Sequence, residues 1–280
     1  MRLVNIGCGG VYHPDWINLD KLPRSGEVQP YDISRPLPFA DDSVDACYSS
    51  HVLEHLPLPL ARRFLLDCQR ALKPGGIVRL AAPDLAGIAQ SYLQCLTSAE
   101  SGDPQALANY EWSVLELLDQ MLRNQSGGEM GTYLRQKDLA NADFIRSRLG
   151  QEAEGFWAPA PLEKSVLEKL KLKGWPWVWQ KLRLTLAEGL VWLTAGAEAR
   201  DAFREGLFRR SGEIHQWMYD RLSLTQLLRE TGFEAIQICG AAESRIPNFP
   251  DYQLDTQGEQ IRKPDSLFVE ALKGDGASAP

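Results

Sequence analysis

Two hydrophobic periods divide the chain. Leu3-Val4-Asn5-Ile6 is an apolar run too short for a helix, and it breaks into Gly7-Cys8-Gly9-Gly10. That is a strand emptying into a tight turn, where residues without a Cβ let the backbone reverse. Trp16-Ile17-Asn18-Leu19-Asp20 reads as a second strand ending in an acid. Lys21 to Tyr31 is loop, and Tyr31-Asp32-Ile33 is a short stub before a proline-rich extended segment, Arg35 to Phe39. Val44 to Ser50 is the next strand. Leu60, Phe64, Leu65, Cys68 and Leu72 then recur at helical spacing, so Pro59 to Leu72 is an amphipathic helix stopped by Lys73-Pro74-Gly75-Gly76. Ile77 to Ala82 is a fifth strand. Near the other end, Ser223-Leu224-Thr225-Gln226 has the form of a capping box, Gly232 stops the helix, and Phe233 to Cys239 and Ser266 to Leu272 read as the last two strands.

Between Leu85 and Gly212 the period is helical throughout. Leu85, Ile88, Ala89, Tyr92, Leu93 and Leu96 mark one helix. Leu107, Tyr110, Val114, Leu117, Leu118 and Met121 mark a second, and a glycine-rich break follows at Ser126 to Gly131. The order of elements predicts an α/β protein: a Rossmann-like, mostly parallel sheet with a long all-helical insertion after the fifth strand. The expected division is 1–84 and 213–273 for the two parts of the Rossmann-like domain, 85–212 for the insertion, and 274–280 for a small polar tail expected to be disordered.

Composition narrows the reading. A formal charge of -7 argues against a non-specific nucleic-acid binder, which needs a basic face. Five scattered cysteines with no CxxC pair suggest neither a zinc framework nor disulfides and fit a cytoplasmic setting. No secretory signal and no run of the roughly 20 apolar residues needed to cross a bilayer is expected. The first glycine turn, with an acid after it, is a cofactor-binding arrangement, but not the NAD form. That form needs G-x-G-x-x-G and an acid ~20 residues on, whereas Tyr12 stands at the third glycine position and Asp20 follows Gly9 by only eleven residues.

The ordered set "NIGCG", "PDWINLD", "DDSVDACYSSHVLEHL", "LKPGG" and "HQWMYDRLSLTQLLRETGF" resembles the class I S-adenosylmethionine-dependent methyltransferase superfamily, in particular its small bacterial type-11 branch, often associated with polysaccharide biosynthesis. The resemblance covers residues 1–84 and about 213–273 and implies S-adenosylmethionine as cofactor. It implies that Asn5, Gly7, Cys8 and Gly9 wrap the methionine end, that Asp20 holds the ribose hydroxyls, and that Asp32 with the Ile33 backbone brackets the adenine. Ser50 and His51 would lie beside the sulfonium. The chain departs from the pattern in one respect. Gly10 to Asp15 cannot hold the helix usual between the first two strands, so one sheet face lacks its ordinary cover. Part of the 85–212 segment, or a second subunit, is expected to cover it.

Methyl transfer to oxygen needs alignment and a base. His51, His55 and His215 are the candidate catalytic residues. His51 and His55, four apart, share one face if His51 begins a helical turn, but no HExxH motif and no third ligand lies nearby in sequence, so no metal is expected. Trp217, Tyr219 and Asp220 stand at the mouth of the expected cleft, and Arg245 is a candidate for a carboxylate or phosphate; these four are the candidate substrate-binding residues. Trp175, Trp177, Trp179 and Trp192, with Lys171, Lys173, Lys181 and Arg183, could form an interfacial patch for peripheral membrane contact or a homodimer interface. The expected function is methylation of a small-molecule or glycan-type acceptor at a hydroxyl. The alternative is a non-catalytic scaffold or regulatory protein that binds a partner through its helical insertion. Nucleic-acid methylation is not expected, because Ser49-Ser50-His51-Val52 stands where an Asn/Asp-Pro-Pro-aromatic motif would be.

Overall fold

The computed structural model describes residues 1–100, 102–158 and 166–274, with residues 166–174, 176 and 177 described by backbone alone. Its strands are β1 (Leu3–Ile6), β2 (Ile17–Asp20), β3 (Val28–Pro30), β4 (Val44–Ser50), β5 (Leu72–Pro83), β6 (Phe233–Cys239), β7 (Thr256–Gln257), β8 (Gln260–Ile261) and β9 (Ser266–Lys273). Seven of them form one sheet in the order β3-β2-β1-β4-β5-β9-β6. All neighbours are parallel except β9, which runs antiparallel to both β5 and β6. This is the Rossmann-like, mostly parallel arrangement that the order of elements predicts. β1 and β4 are adjacent in the sheet but not in the chain, so the order reverses there, and in such sheets ligands bind outside the carboxyl ends of the strands at that switch point.

The helices are α1 (Leu58–Ala71), α2 (Leu85–Ala99), α3 (Pro104–Leu122), α4 (Gly128–Leu134), α5 (Ala142–Leu149), α6 (Gln151–Trp157), α7 (Val166–Arg209) and α8 (Arg221–Glu230). On one sheet face α1 buries Ala61, Phe64, Leu65 and Cys68, and α8 buries Leu224, Leu227 and Leu228, against Val4, Leu19, Val78 and Val269. Burial of each large aliphatic side chain in this layer contributes about 1.5–3 kcal/mol.

Among the described residues the opposite face is covered by a connection between strands, where the helical segment is expected from the sequence. Its cover comes from the connection between β6 and β9: Ile246, Phe249, Tyr252 and Leu254 pack with Trp16 on Leu3, Ala46, Tyr48 and Ile77. Trp16 makes edge contacts with Tyr48, Phe249 and Tyr252 at 5.9, 6.3 and 5.5 Å. A loop can replace a helix here because its polar groups have buried partners. Arg79, fully buried on β5, pairs with Asp255 at 2.8 Å and Glu270 at 2.9 Å and donates to the Gly240, Ala241 and Glu243 carbonyls.

Two further readings change. The buried residues of α3 are Trp112, Ser113, Glu116 and Asp119, whereas Leu107 and Leu118 are exposed. Glu116 and Asp119 turn inward because Arg148 and Arg123 meet them at 2.6 and 2.8 Å. α8 begins earlier than Ser223. Asp220 is its N-cap and accepts from the Leu222 and Ser223 amides, and Ser223, the residue three positions on, returns the bond to the Asp220 amide.

On α7, Trp175, Trp179 and Trp192 are exposed, while the side chains of Lys171, Lys173 and Trp177 lie outside the described residues. The expected tail lies outside them too, apart from Gly274. Among the described residues no helix is long and apolar enough to cross a membrane.

Candidate active site

The glycine turn after β1 is built by its own backbone. The Gly7 and Cys8 amides donate to the Leu19 carbonyl at 2.8 and 3.2 Å, pinning the turn on the end of β2. Gly7 has φ +73°, and a Cβ there would stand 2.3 Å from Val52 Cγ2, so both conformation and space require glycine. Gly9 has φ +55°, and a Cβ there would meet nothing within 4 Å, which leaves its open side to a ligand. Asp20 lies behind the turn: Oδ2 accepts from the Gly9 amide at 2.8 Å and Oδ1 from the Leu22 amide at 2.8 Å. Each oxygen keeps a lone pair for a further donor.

Asn5, Gly7, Cys8, Gly9, Ser50 and His51 line one cavity of about 400 Å³ at the carboxyl end of β1 and β4. Its far wall includes Tyr48, Asp255, Arg262 and Lys263. Asn5 is buried; its amide nitrogen donates to Val11 O and Asn18 Oδ1, while its Oδ1 meets no donor among the described residues. Burial, and after it the charge of Asp20, push the Cys8 thiol up to about 11, so it stays protonated. Asp32 and Ile33 follow β3, two strands out from β1, and are not in the lining of this cavity. Asp32 accepts from the Ser34 amide and lies 3.6 Å from Lys21.

A second cavity, also about 400 Å³, lies between the sheet edge and helices α3 to α6. His51, Glu152 and Lys263 line both cavities and form the wall between them. That wall is tied across the fold: Arg262 Nη1 donates to Gln151 Oε1 at 2.7 Å, and Lys263 Nζ lies 3.0 Å from Glu152. Burial draws Lys263 down, but Glu152 more than offsets it, and the ammonium is held above its ordinary range.

The three candidate histidines come together in this second cavity. His51 follows β4 with φ +53°, a left-handed conformation that a non-glycine residue adopts at some cost in strain. Its Nε2 is 2.8 Å from Ser266 Oγ and its Nδ1 is 3.2 Å from Glu54 Oε1. His55 and His215 meet edge to face with ring centroids 4.7 Å apart. Glu54 is fully buried between them. Burial pushes the Glu54 carboxyl up, yet the imidazole of His51, with those of His55 and His215, brings it down to about 2. Burial draws His215 down to about 3 and lowers His55 as well. At neutral pH the carboxylate is therefore ionised and His215 is neutral.

Sequence reasoning missed Glu152, Lys263 and Asp265 in this site, and no local signal marks them, because the connection between β8 and β9 delivers two of them from far along the chain. Glu54 carried a signal in its place between His51 and His55. Of the candidate substrate-binding residues, Tyr219 is buried in the main core and its backbone carbonyl accepts from the Leu85 amide. Asp220 caps α8, and Arg245 donates to Ala235 O and Gln237 Oε1 on β6. None of these three lines either cavity, and their side chains have structural work elsewhere. Trp217 is exposed and likewise lines neither cavity.

Fold and site define a Rossmann-like protein with a glycine turn and a cavity at the sheet's switch point. Residues 16–80 match the family described as a methyltransferase domain. Among curated relatives, an uncharacterized methyltransferase of Mycobacterium tuberculosis (strain H37Rv) is 53% identical over 45 residues, 16% of this chain and 17% of that protein. One from Mycobacterium leprae (strain TN) is 53% identical over 47 residues, 16% of each chain. The chain thus spans about a sixth of the length of the curated relatives it matches. A solved S-adenosylmethionine-dependent methyltransferase from Archaeoglobus fulgidus aligns over 98% of this chain and 86% of that one, with 11% identity and a TM-score of 0.39.

Proposed function

We propose that the chain is an S-adenosylmethionine-dependent methyltransferase that methylates a hydroxyl of a small-molecule or glycan-type acceptor. The observation that carries this reading is the pair of cavities that share His51, one on the glycine turn and one lined with polar side chains.

The residues of the first cavity fit the cofactor. Asn5 Oδ1 is a buried acceptor suited to an ammonium, the open side of Gly9 admits a close backbone approach, and Asp20, which braces the Gly9 amide from outside the cavity lining, has lone pairs left for vicinal hydroxyls. When bound, S-adenosylmethionine supplies a methyl group on a sulfonium and leaves as the thioether. The chain's own task is then to align the acceptor and take its proton. His51 is suited to the second. With the Glu54 carboxylate 3.2 Å from Nδ1 favouring the proton there, Nε2 carries the lone pair, and Ser266 Oγ marks where a hydroxyl can reach it. Gln120, Arg123, Ser126 and Arg135 on the walls of the second cavity suit an acceptor rich in hydroxyls.

Calorimetry with S-adenosylhomocysteine tests the first half of this reading. Saturable binding with one site per chain is expected, and no heat at high micromolar ligand refutes it. Transfer of labelled methyl from the cofactor to fractionated small molecules and glycans tests the second half. Label recovered only in protein or nucleic acid overturns the acceptor class.

A further inference from the structure

We infer that Glu54, His55 and His215 form a binding site for one divalent transition-metal ion of the zinc type, opening on the second cavity. One ligand atom from each lies within 4.8 Å of the others. Side-chain rotation closes that spread to the roughly 3.3 Å separation of donors around a tetrahedral ion with bonds of about 2.0–2.1 Å. Two imidazoles and one carboxylate are a donor set that suits zinc and leaves a fourth position for an exogenous ligand.

Three observations carry the assignment. Glu54 is fully buried; His51 Nδ1 lies 3.2 Å from Oε1, an ion-pair partner when protonated, and neither carboxylate oxygen is in a hydrogen bond among the described residues. A buried carboxylate needs a cation or hydrogen bonds to balance its charge, and an ion ligated by Oε2 would supply that on the side away from His51. His215 is also buried, and its Nδ1 meets no partner among the described residues. Finally, the ligands are already oriented. His55 Nδ1 lies 3.3 Å from the Ile214 carbonyl, which fixes the proton there and leaves the Nε2 lone pair for an ion. The backbone holds the set together: the His215 amide donates to Gln120 O on α3 at 3.0 Å, and the Gln216 and Trp217 amides donate to Glu54 O at 2.6 and 3.2 Å.

The other charged groups of this cavity are largely matched to one another. Lys263 faces Glu152, and Arg123 faces Asp119 and Glu213. Arg135 and Asp265 line the same cavity, and of its charged groups Glu54 is the one that lies against the two imidazoles of the set. An ion held by these three residues would make the proton of a bound acceptor hydroxyl easier to lose, with His51 as the group placed to accept it. This role rests on the methyltransferase reading; the binding itself does not.

The test is a Co²⁺ titration of chelator-treated full chain, followed by visible d–d absorption and by displacement with Zn²⁺. One Co²⁺ per chain with the strong bands of a four- or five-coordinate site is expected. Glu54→Gln and His215→Ala should each weaken it at least about tenfold, the scale on which even supporting residues act. His13→Ala, which removes the one histidine outside this cavity, should leave it unchanged. No bands at 100-fold excess metal, or binding unmoved by both ligand variants, overturns the inference. Glu54→Gln preserves shape, so loss of Co²⁺ with an unchanged circular dichroism spectrum is loss of a ligand and not of the fold. S-adenosylhomocysteine calorimetry on the same samples separates the two proposals. Metal bound without cofactor sinks the methyltransferase reading alone, and cofactor bound without metal sinks this one alone.

Discussion

His51 Nδ1 lies 3.2 Å from Glu54 Oε1, and the same imidazole presents Nε2 to Ser266 Oγ at 2.8 Å. A buried anion on one nitrogen sets which nitrogen carries the proton, and so which is free to accept one. On the proposed mechanism, His51→Ala should lower kcat by 10²–10⁴-fold, the range for a positioned base. Glu54→Gln, which acts on His51 through orientation, should lower kcat and shift the pH–rate profile. Neither should change S-adenosylhomocysteine affinity by more than about threefold, a small effect on the scale of binding energies. A His51→Ala variant with normal kcat on an identified acceptor removes His51 from the chemistry.

Gly7 is held to glycine twice, by its positive φ and by Val52. A methyl group there would stand 2.3 Å from Val52 Cγ2 and would strain a φ of +73°. Gly7→Ala should destabilise the chain by about 1–3 kcal/mol, the range for overpacking, and weaken cofactor binding, since the same turn carries Gly9. Thermal melts and calorimetry check both. The double change Gly7→Ala with Val52→Ala should recover part of the stability, because the clash is removed while the backbone strain remains.

Asp20 links the turn to the site. It accepts from the Gly9 and Leu22 amides, so Asp20→Ala loses both the brace and the proposed hydroxyl contacts. S-adenosylhomocysteine affinity should fall about 10–100-fold, which corresponds to the roughly 1.5–3 kcal/mol of a charge-assisted hydrogen bond. Adenine alone, which has no ribose, should lose much less. If the nucleoside and the free base weaken equally, Asp20 acts only as the brace.

Much of this architecture is legible in the chain because it rests on local periodicity. β1, β2, β4 and α1 each announce themselves by an apolar period and a terminating residue, and the glycine turn by the run from Gly7 to Gly10. What was not legible depends on contacts between distant segments. Nothing near Phe249 or Leu254 says that they replace a helix over Trp16, and nothing near Arg79 announces Asp255, 176 residues away. Glu116 and Asp119 look like the solvent face of a helix until Arg148 and Arg123 arrive. In the same way, the sequence places His215 160 residues from His55, and only the backbone bonds between 214–217 and Glu54 and Gln120 bring the rings together. The missed parts are those in which polar residues are buried in pairs, since each member of a pair reads as exposed until its partner is known.

The buried Arg79 network shows what such a pair is worth when broken. Arg79 is fully buried and holds Asp255 and Glu270 while donating to three carbonyls of the 240–243 turn. Arg79→Ala strands two buried carboxylates and should cost about 3–5 kcal/mol, the range for removing one partner of a buried ion pair. A simple packing role would predict less, because the Phe249 and Phe268 rings beside the guanidinium can close over a small void.

The charge at the start of α8 gives a prediction with a definite sign in pH. Asp220 accepts from the Ser223 and Leu222 amides, and these bonds hold its carboxyl below the ordinary 3.8. A group lowered on folding stabilises the fold above its unfolded pKa, and that contribution disappears as the pH falls through the folded value. Asp220→Ala should therefore cost about 1 kcal/mol near neutrality, the typical worth of an N-cap. The gap in melting temperature between the two proteins should stay constant from pH 7 down to about pH 5 and narrow below about pH 4, as protonation of the wild-type carboxyl removes the same bonds. A gap that widens in acid would mean that another group, and not this cap, governs the end of the helix.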